Sequence, residues 1–127
     1  MPGKLVYEYA FIRYVPKVER EEFINIGVIL YCKAKKFLEV KYHLDEPRML
    51  AFYRETDFLA IRHYLETWHC IAEGNPRCSP VSQQDLPERF RWLTATRSTI
   101  IQPSKVHPGL CEDPALTLDE LYRHYVL

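Results

Sequence analysis

Six residues in two stretches of the chain carry the groups most able to do chemistry together. Arg13 closes an apolar run, and Glu22, Asn25 and Gly27 follow inside EEFINIGVIL. Arg97 and Ser98 stand together in LTATRS. An arginine offers a planar fork of donors that fits a carboxylate or phosphate, and an amide or hydroxyl beside it adds neutral hydrogen bonds. If the two stretches meet, Arg13, Glu22, Asn25, Gly27, Arg97 and Ser98 line a polar pocket for an anion or a peptide carboxylate. The ordinary alternative is an ion pair between Arg13 and Glu22 across the first hairpin, with Gly27 marking a bulge.

Other patterns compete less well. Arg62 and His69 stand seven apart on an expected helix, which places them on one side, as in the RNA-cleaving motif of HEPN ribonucleases. Those domains are all-helical, whereas this chain opens with strands, so a solvated helix face is the expectation. His63, His69, Cys70, Cys78 and His107 include metal-ligand types, but no spacing among them matches a zinc or other metal pattern, so no metal is expected. No cofactor signature is present: the four glycines are scattered, and no serine or cysteine sits in a nucleophile elbow. Arg89, Arg91, Arg97 and Lys105 interleave with Phe90 and Trp92, which suits stacking plus phosphate contacts. A helix that exposes its arginines while burying Phe90 and Leu93 is the favoured reading there.

Composition narrows the classes. The 127 residues fit one domain, spanning 1–127, and the 47% apolar content argues against disorder. Seventeen basic residues balance 17 acidic ones, which removes the main electrostatic reason to favour nucleic acid as partner. No apolar run is long enough to span a bilayer, and Glu8 and Arg13 interrupt the N-terminal apolar stretch where a signal peptide would be continuous. A cytoplasmic protein with four reduced, partly buried cysteines is expected, since no close-spaced pair suggests a disulfide framework.

The elements that must position the six residues follow from periodicity. Val6 to Val15, about Glu22 to Cys32, and Phe37 to His43 read as three strands of an antiparallel meander. Simple alternation places Ile24, Ile26, Val28, Leu30 and Cys32 on the core face, and Asn25 and Gly27 on the other beside Phe23 and Ile29. Helical spacing then takes over. Asp45 caps a short helix, Phe58, Ile61, Leu65, Trp68 and Ala72 stripe a longer one ended by Gly74, and Asp85 opens a third through about Ala95. Thr99 to Ile101 reads as an edge strand, and Thr117 to Glu120 as a capping box opening a terminal helix. The fold class is α+β: a mainly antiparallel sheet built from the meander and a short later strand, with helices packed on one face.

The order YAFIRYVP, REEFINIGV, RSTII, then Asp113-Pro114 before a final helix ending in Tyr125-Val126 resembles the bacterial DUF3037 family of small proteins. The resemblance covers nearly the whole chain and is thinnest between Asp45 and Gln84. Glu21 and Thr99 stand where the family pattern has glycine. Genes of this family often lie beside those of HipA-like kinases, so the resemblance implies a kinase partner within a regulatory or toxin–antitoxin-like module. The functional expectation is therefore an accessory protein that docks to a partner such as a HipA-like kinase. The alternative is a small enzyme acting on RNA or nucleotides through Arg13, Glu22, Asn25 and Arg97.

Overall fold

Ten consecutive residues from Leu5, rich in tyrosine and β-branched side chains, make the strand on which everything else is hung. A computed structural model describes residues 4–127; the first three residues of the expected single domain, Met1 to Gly3, lie outside the described ones. Strand β1 (Leu5–Tyr14) pairs antiparallel with β2 (Ile24–Cys32), which pairs antiparallel with β3 (Phe37–Tyr42), so the meander forms as expected. On its other side β1 receives β4 (Ile101–Pro103) along its C-terminal end and β5 (His107–Cys111) along its N-terminal half, both antiparallel. The result is a five-stranded antiparallel sheet in an α+β fold.

Four helices complete it: α1 (Glu46–Phe52), α2 (Phe58–Glu73), α3 (Leu86–Leu93) and α4 (Pro114–Tyr125). Each is opened by an aspartate whose carboxylate accepts a backbone N–H of the first turn: Asp45 from Arg48, Asp57 from Ala60, Asp85 from Glu88 and Asp113 from Ala115. The last helix therefore begins earlier than the Thr117 box suggests, because Asp113-Pro114 supplies both a cap and a proline suited to the first turn.

The class is as expected, but the helices are not confined to one face. Helices α1, α2 and α3 cover Ala10, Ile12, Tyr14, Ile26, Ile29 and Tyr31, burying Met49, Ile61, Leu65, Trp68, Phe90 and Leu93 against them. Helix α4 covers the reverse of the sheet, where Leu118 packs with Val28, Leu30 and Cys32 among Tyr7, Tyr9 and Phe11. Both faces of the central strands are thus apolar, which explains why β2 from Ile26 to Cys32 is buried without interruption.

The expected alternation along β2 fails at one place for a local reason. The register of β1 on β2 shifts between Ile12 and Arg13: Ile12 opposes Gly27, yet Arg13 opposes Asn25. Ile26 is the extra residue of a β-bulge, and the phase of the strand changes there. Ile24 and Ile26 consequently share a face with Ile29 and Tyr31, while Val28, Leu30 and Cys32 turn to the α4 side. Gly27 does not open a bare patch on an outer surface. A Cβ built on it would lie 2.8 Å from Lys41 O and 3.0 Å from Ile12 Cδ1, so glycine is what the close approach of β3 requires.

Candidate functional site

Alternation along β1 sends Leu5, Tyr7, Tyr9 and Phe11 toward α4, and Arg13 is the next residue on that side. The bulge sets Asn25 directly opposite Arg13 on β2, while β4 sets Gln102 opposite it on the other flank. Three polar side chains therefore lie in a row across the sheet, just past the point where α4 ends. Phe11 meets Tyr125, in the last turn of α4, with ring centroids 5.3 Å apart. Phe23, immediately before β2, lies over the guanidinium of Arg13, whose Cζ is 3.9 Å from the ring centroid.

The electrostatics of the row are incomplete. Arg13 Nε and Asn25 Oδ1 are both buried, and neither has a hydrogen-bond partner. Among the described residues, no carboxylate stands within ion-pair distance of Arg13. Burial alone pushes its pKa below the ordinary arginine value. Gln102 is otherwise occupied, its Nε2 donating to Thr99 O at 2.8 Å. A buried guanidinium N–H and an amide oxygen, both without a partner and side by side, are costly unless something outside the chain completes them.

The structure brings together only part of the six-residue cluster. Arg13 and Asn25 are neighbours, but Glu22 pairs with Arg20, its Oε1 2.8 Å from Arg20 Nε, and not with Arg13. Gly27 belongs to the bulge and points toward the core at Ile12. Arg97 stands with the helices that cover the opposite face of the sheet. Its Cζ is 5.5 Å from the ring of Trp68 and 4.9 Å from that of Trp92, and it donates to Ala95 O and Trp92 O at the end of α3. That is the work of a C-terminal cap, and burial lowers its pKa as it does that of Arg13. Ser98 follows it, exposed.

The other sequence candidates resolve in the same way. Arg62 reaches Glu46 at 3.4 Å and His69 reaches Glu73 at 3.4 Å, so each is tied to its own carboxylate. Arg89 is not an exposed helix arginine. Only 9% exposed, it drives its guanidinium against Gly74 and donates from Nη1 to Ile71 O and Ala72 O at the end of α2. Cys70 and Cys78 are joined as a disulfide with Cα atoms 6.1 Å apart, correcting the expectation of four free thiols; Cys32 and Cys111 are free and buried. Among the described residues, no three His, Cys, Asp or Glu side chains gather as a metal-binding set, and no helix is long and apolar enough to cross a membrane.

Residues 9–126 match the family model described as protein of unknown function, DUF3037. The chain belongs to the DUF3037 family. No curated protein matches it, and no solved structure does. The match runs from Tyr9, through the Arg13–Asn25 row and the Arg97 cap, to Val126, so the whole sheet-and-helix frame of this DUF3037 protein lies within it, apart from the first residues of β1. Two members of the site escaped the reading of motifs. Phe23 signals itself only by standing two residues before Asn25, just ahead of β2, and Gln102 only once the short edge strand is placed at Ile101–Pro103 rather than Thr99–Ile101.

Proposed function

We propose that this DUF3037 protein is a docking module whose partner protein completes the Arg13–Asn25 row. The observation that carries this reading is the pair of buried, unpartnered atoms, Arg13 Nε and Asn25 Oδ1, on a sheet face that α4 leaves uncovered. Around them stand Phe23, 43% exposed, and Tyr125, 58% exposed, the residue types that anchor protein interfaces when set beside an arginine. An acceptor group from the partner satisfies the guanidinium while the aromatic rim excludes water, and so strengthens that hydrogen bond.

The family resemblance suggests a HipA-like kinase as the partner, within a bacterial regulatory module, and a cytoplasmic location belongs to the same proposal. In that compartment the Cys70–Cys78 disulfide meets reducing thiols, and alkylation of freshly lysed cells counts how many of the four cysteines are free there. The test of docking is co-purification of a HipA-like kinase from the same genome with the tagged protein. Replacing Arg13 with Ala is expected to weaken capture by about 2 kcal/mol, roughly thirtyfold. Arg97→Ala serves as the control: it lowers thermal stability but leaves capture by the folded protein intact. Equal capture by wild type and Arg13→Ala would remove the row from any docking role.

A further inference from the structure

The two edges of the sheet are built differently. The β4–β5 side carries Pro103 and Pro108, which withhold backbone donors from any added strand. The β3 side carries no proline, and its whole length borders open clefts. One, of about 470 Å³, is lined by Val40, Lys41, Tyr42, His69 and Tyr122, and a second, of about 300 Å³, continues past Leu38 and Glu39.

The direction of the backbone groups on that edge follows from one hydrogen bond. His43 N–H donates to Ile26 O at 2.8 Å, continuing the ladder in which Tyr42 opposes Gly27. In an antiparallel ladder such bonding alternates, so Phe37, Glu39 and Lys41 turn their N–H and C=O groups toward β2. Leu38, Val40 and Tyr42 turn theirs outward. Tyr42 O bears this out, since its neighbour is the hydroxyl of Tyr122 on α4, 3.4 Å away.

A strand that pairs here must present outward groups at the same alternate positions and tolerate the charges of Glu39 and Lys41. The segment Leu38-Glu39-Val40-Lys41-Tyr42 meets both conditions against itself. With Val40 opposite Val40 of a second copy, Leu38 falls opposite Tyr42, and every outward N–H finds an outward C=O. Glu39 of each copy then faces Lys41 of the other. These positions are the non-hydrogen-bonded ones, where opposed side chains come closest, about 4.5 Å between Cα atoms. Both charged residues lie on the α4 side of the sheet, where Lys41 Nζ already reaches Asp119 at 3.1 Å.

We propose that two copies of this chain pair antiparallel along β3, Val40 on Val40, joining their sheets into one continuous sheet across a two-fold axis. The interface is separate from the Arg13–Asn25 row and does not depend on its function.

Sedimentation equilibrium over a concentration series is expected to show a reversible dimer for the wild type. Glu39→Lys sets two lysines against each other at each cross-strand pair, and Lys41→Glu sets two glutamates there. Each variant alone is therefore expected to dimerise about tenfold more weakly or worse. Mixed together, the two variants set the two lysines of one copy against the two glutamates of the other, an opposite-charge pair at both positions, so the mixture is expected to dimerise about as well as the wild type although neither variant does so alone. The double variant Glu39→Lys with Lys41→Glu likewise restores an opposite-charge pair at both positions and is expected to recover the wild-type dimer. Hydrogen exchange on the unaltered protein supplies a measurement free of folding effects. The amides of Leu38, Val40 and Tyr42 are expected to become more protected as concentration rises, while those of Glu39 and Lys41 stay protected throughout. A monomer at every concentration would overturn the proposal. So would a dimer indifferent to both charge reversals, or one whose outward β3 amides stay unprotected.

Discussion

Arg89 and Gly74 offer the sharpest test of how this fold is held together, because the helix α2 ends on them. Gly74 takes φ of +76°, the left-handed turn that closes a helix, and its N–H donates to Ile71 O at 3.0 Å. Ala72 O has no such donor, since Pro76, four residues on, carries no N–H. Arg89 Nη1 fills that gap at 3.0 Å and shares its other bond with Ile71 O at 3.1 Å. Replacing Arg89 with Met keeps much of the volume but orphans Ala72 O. Two charged hydrogen bonds are lost, each about 1.5–3 kcal/mol, offset by no longer burying a guanidinium whose Nε lacks a partner. The net expectation is a loss of about 2–3 kcal/mol, a drop of roughly 10 °C in Tm for a domain of this size. Gly74→Ala adds a left-handed alanine, at about 1 kcal/mol, and a Cβ 2.6 Å from Arg89 Nη1, a group pinned by its two bonds. It is expected to cost about 2–3 kcal/mol in the wild type and only about 1 in the Arg89→Met background, where the side chain is no longer held. Urea denaturation of the four proteins measures the coupling. Additive effects would show that Arg89 is not fixed against Gly74, and the account of the helix end would fail.

The bulge gives a second expectation: Gly27→Ala forces a Cβ to 2.8 Å from the backbone oxygen of Lys41, and a loss of about 2 kcal/mol in urea denaturation follows, with no loss refuting the close approach. Reducing the Cys70–Cys78 disulfide, which closes a loop over a sequence separation of 8, is expected to cost about 2.5 kcal/mol on the loop-entropy model, and thermal melts with and without dithiothreitol check it. A fourth concerns acid. The hydrogen bond from Lys41, with Arg123 adding to it, holds the Asp119 carboxyl below the usual aspartate range. A pKa lower in the folded than in the unfolded chain stabilises above the unfolded value, near 4, and that contribution disappears as pH falls through the folded value. The Tm of wild type should therefore fall more steeply than that of Asp119→Asn as pH drops below about 4, and parallel curves would dismiss the pair.

Much of the frame was legible because its signals are local. An aspartate stands at the start of each helix, Gly74 ends one, and apolar residues recur at helical spacing from Phe58 to Ala72. What alternation could not show was the bulge. Ile24, Ile26, Val28, Leu30 and Cys32 look like one face, and only the pairing with β1 reveals that Ile26 is an extra residue. The helix distribution failed for the same cause: a strand apolar on both sides after the bulge calls for cover on both, and α4 provides the second layer. Strand β5 carries little signal because proline and glycine are poor strand formers, yet Pro108 and Gly109 pair with Glu8 and Tyr7 at the edge, where proline costs no ladder bond.

The fate of the arginines follows from a physical distinction that residue type alone does not carry. Arg13, Arg89 and Arg97 are all drawn from water, and all three lie beside apolar or aromatic surface. Arg89 and Arg97 spend their donors on carbonyls at the ends of α2 and α3, so their charge meets the negative end of a helix and is used within the fold. Arg13 sits on a strand, where the backbone acceptors of its neighbours are engaged in the ladder, and its Nε meets no acceptor of the chain. Its buried Nε is left without a partner, and the side chain opposite it, Asn25, leaves its oxygen unpaired as well. Selection for stability alone would favour an apolar pair at these positions, given the cost of burying polar groups without partners. The retained mismatch is the reason to look for the missing partner there and not at the arginines whose types and spacing first drew attention.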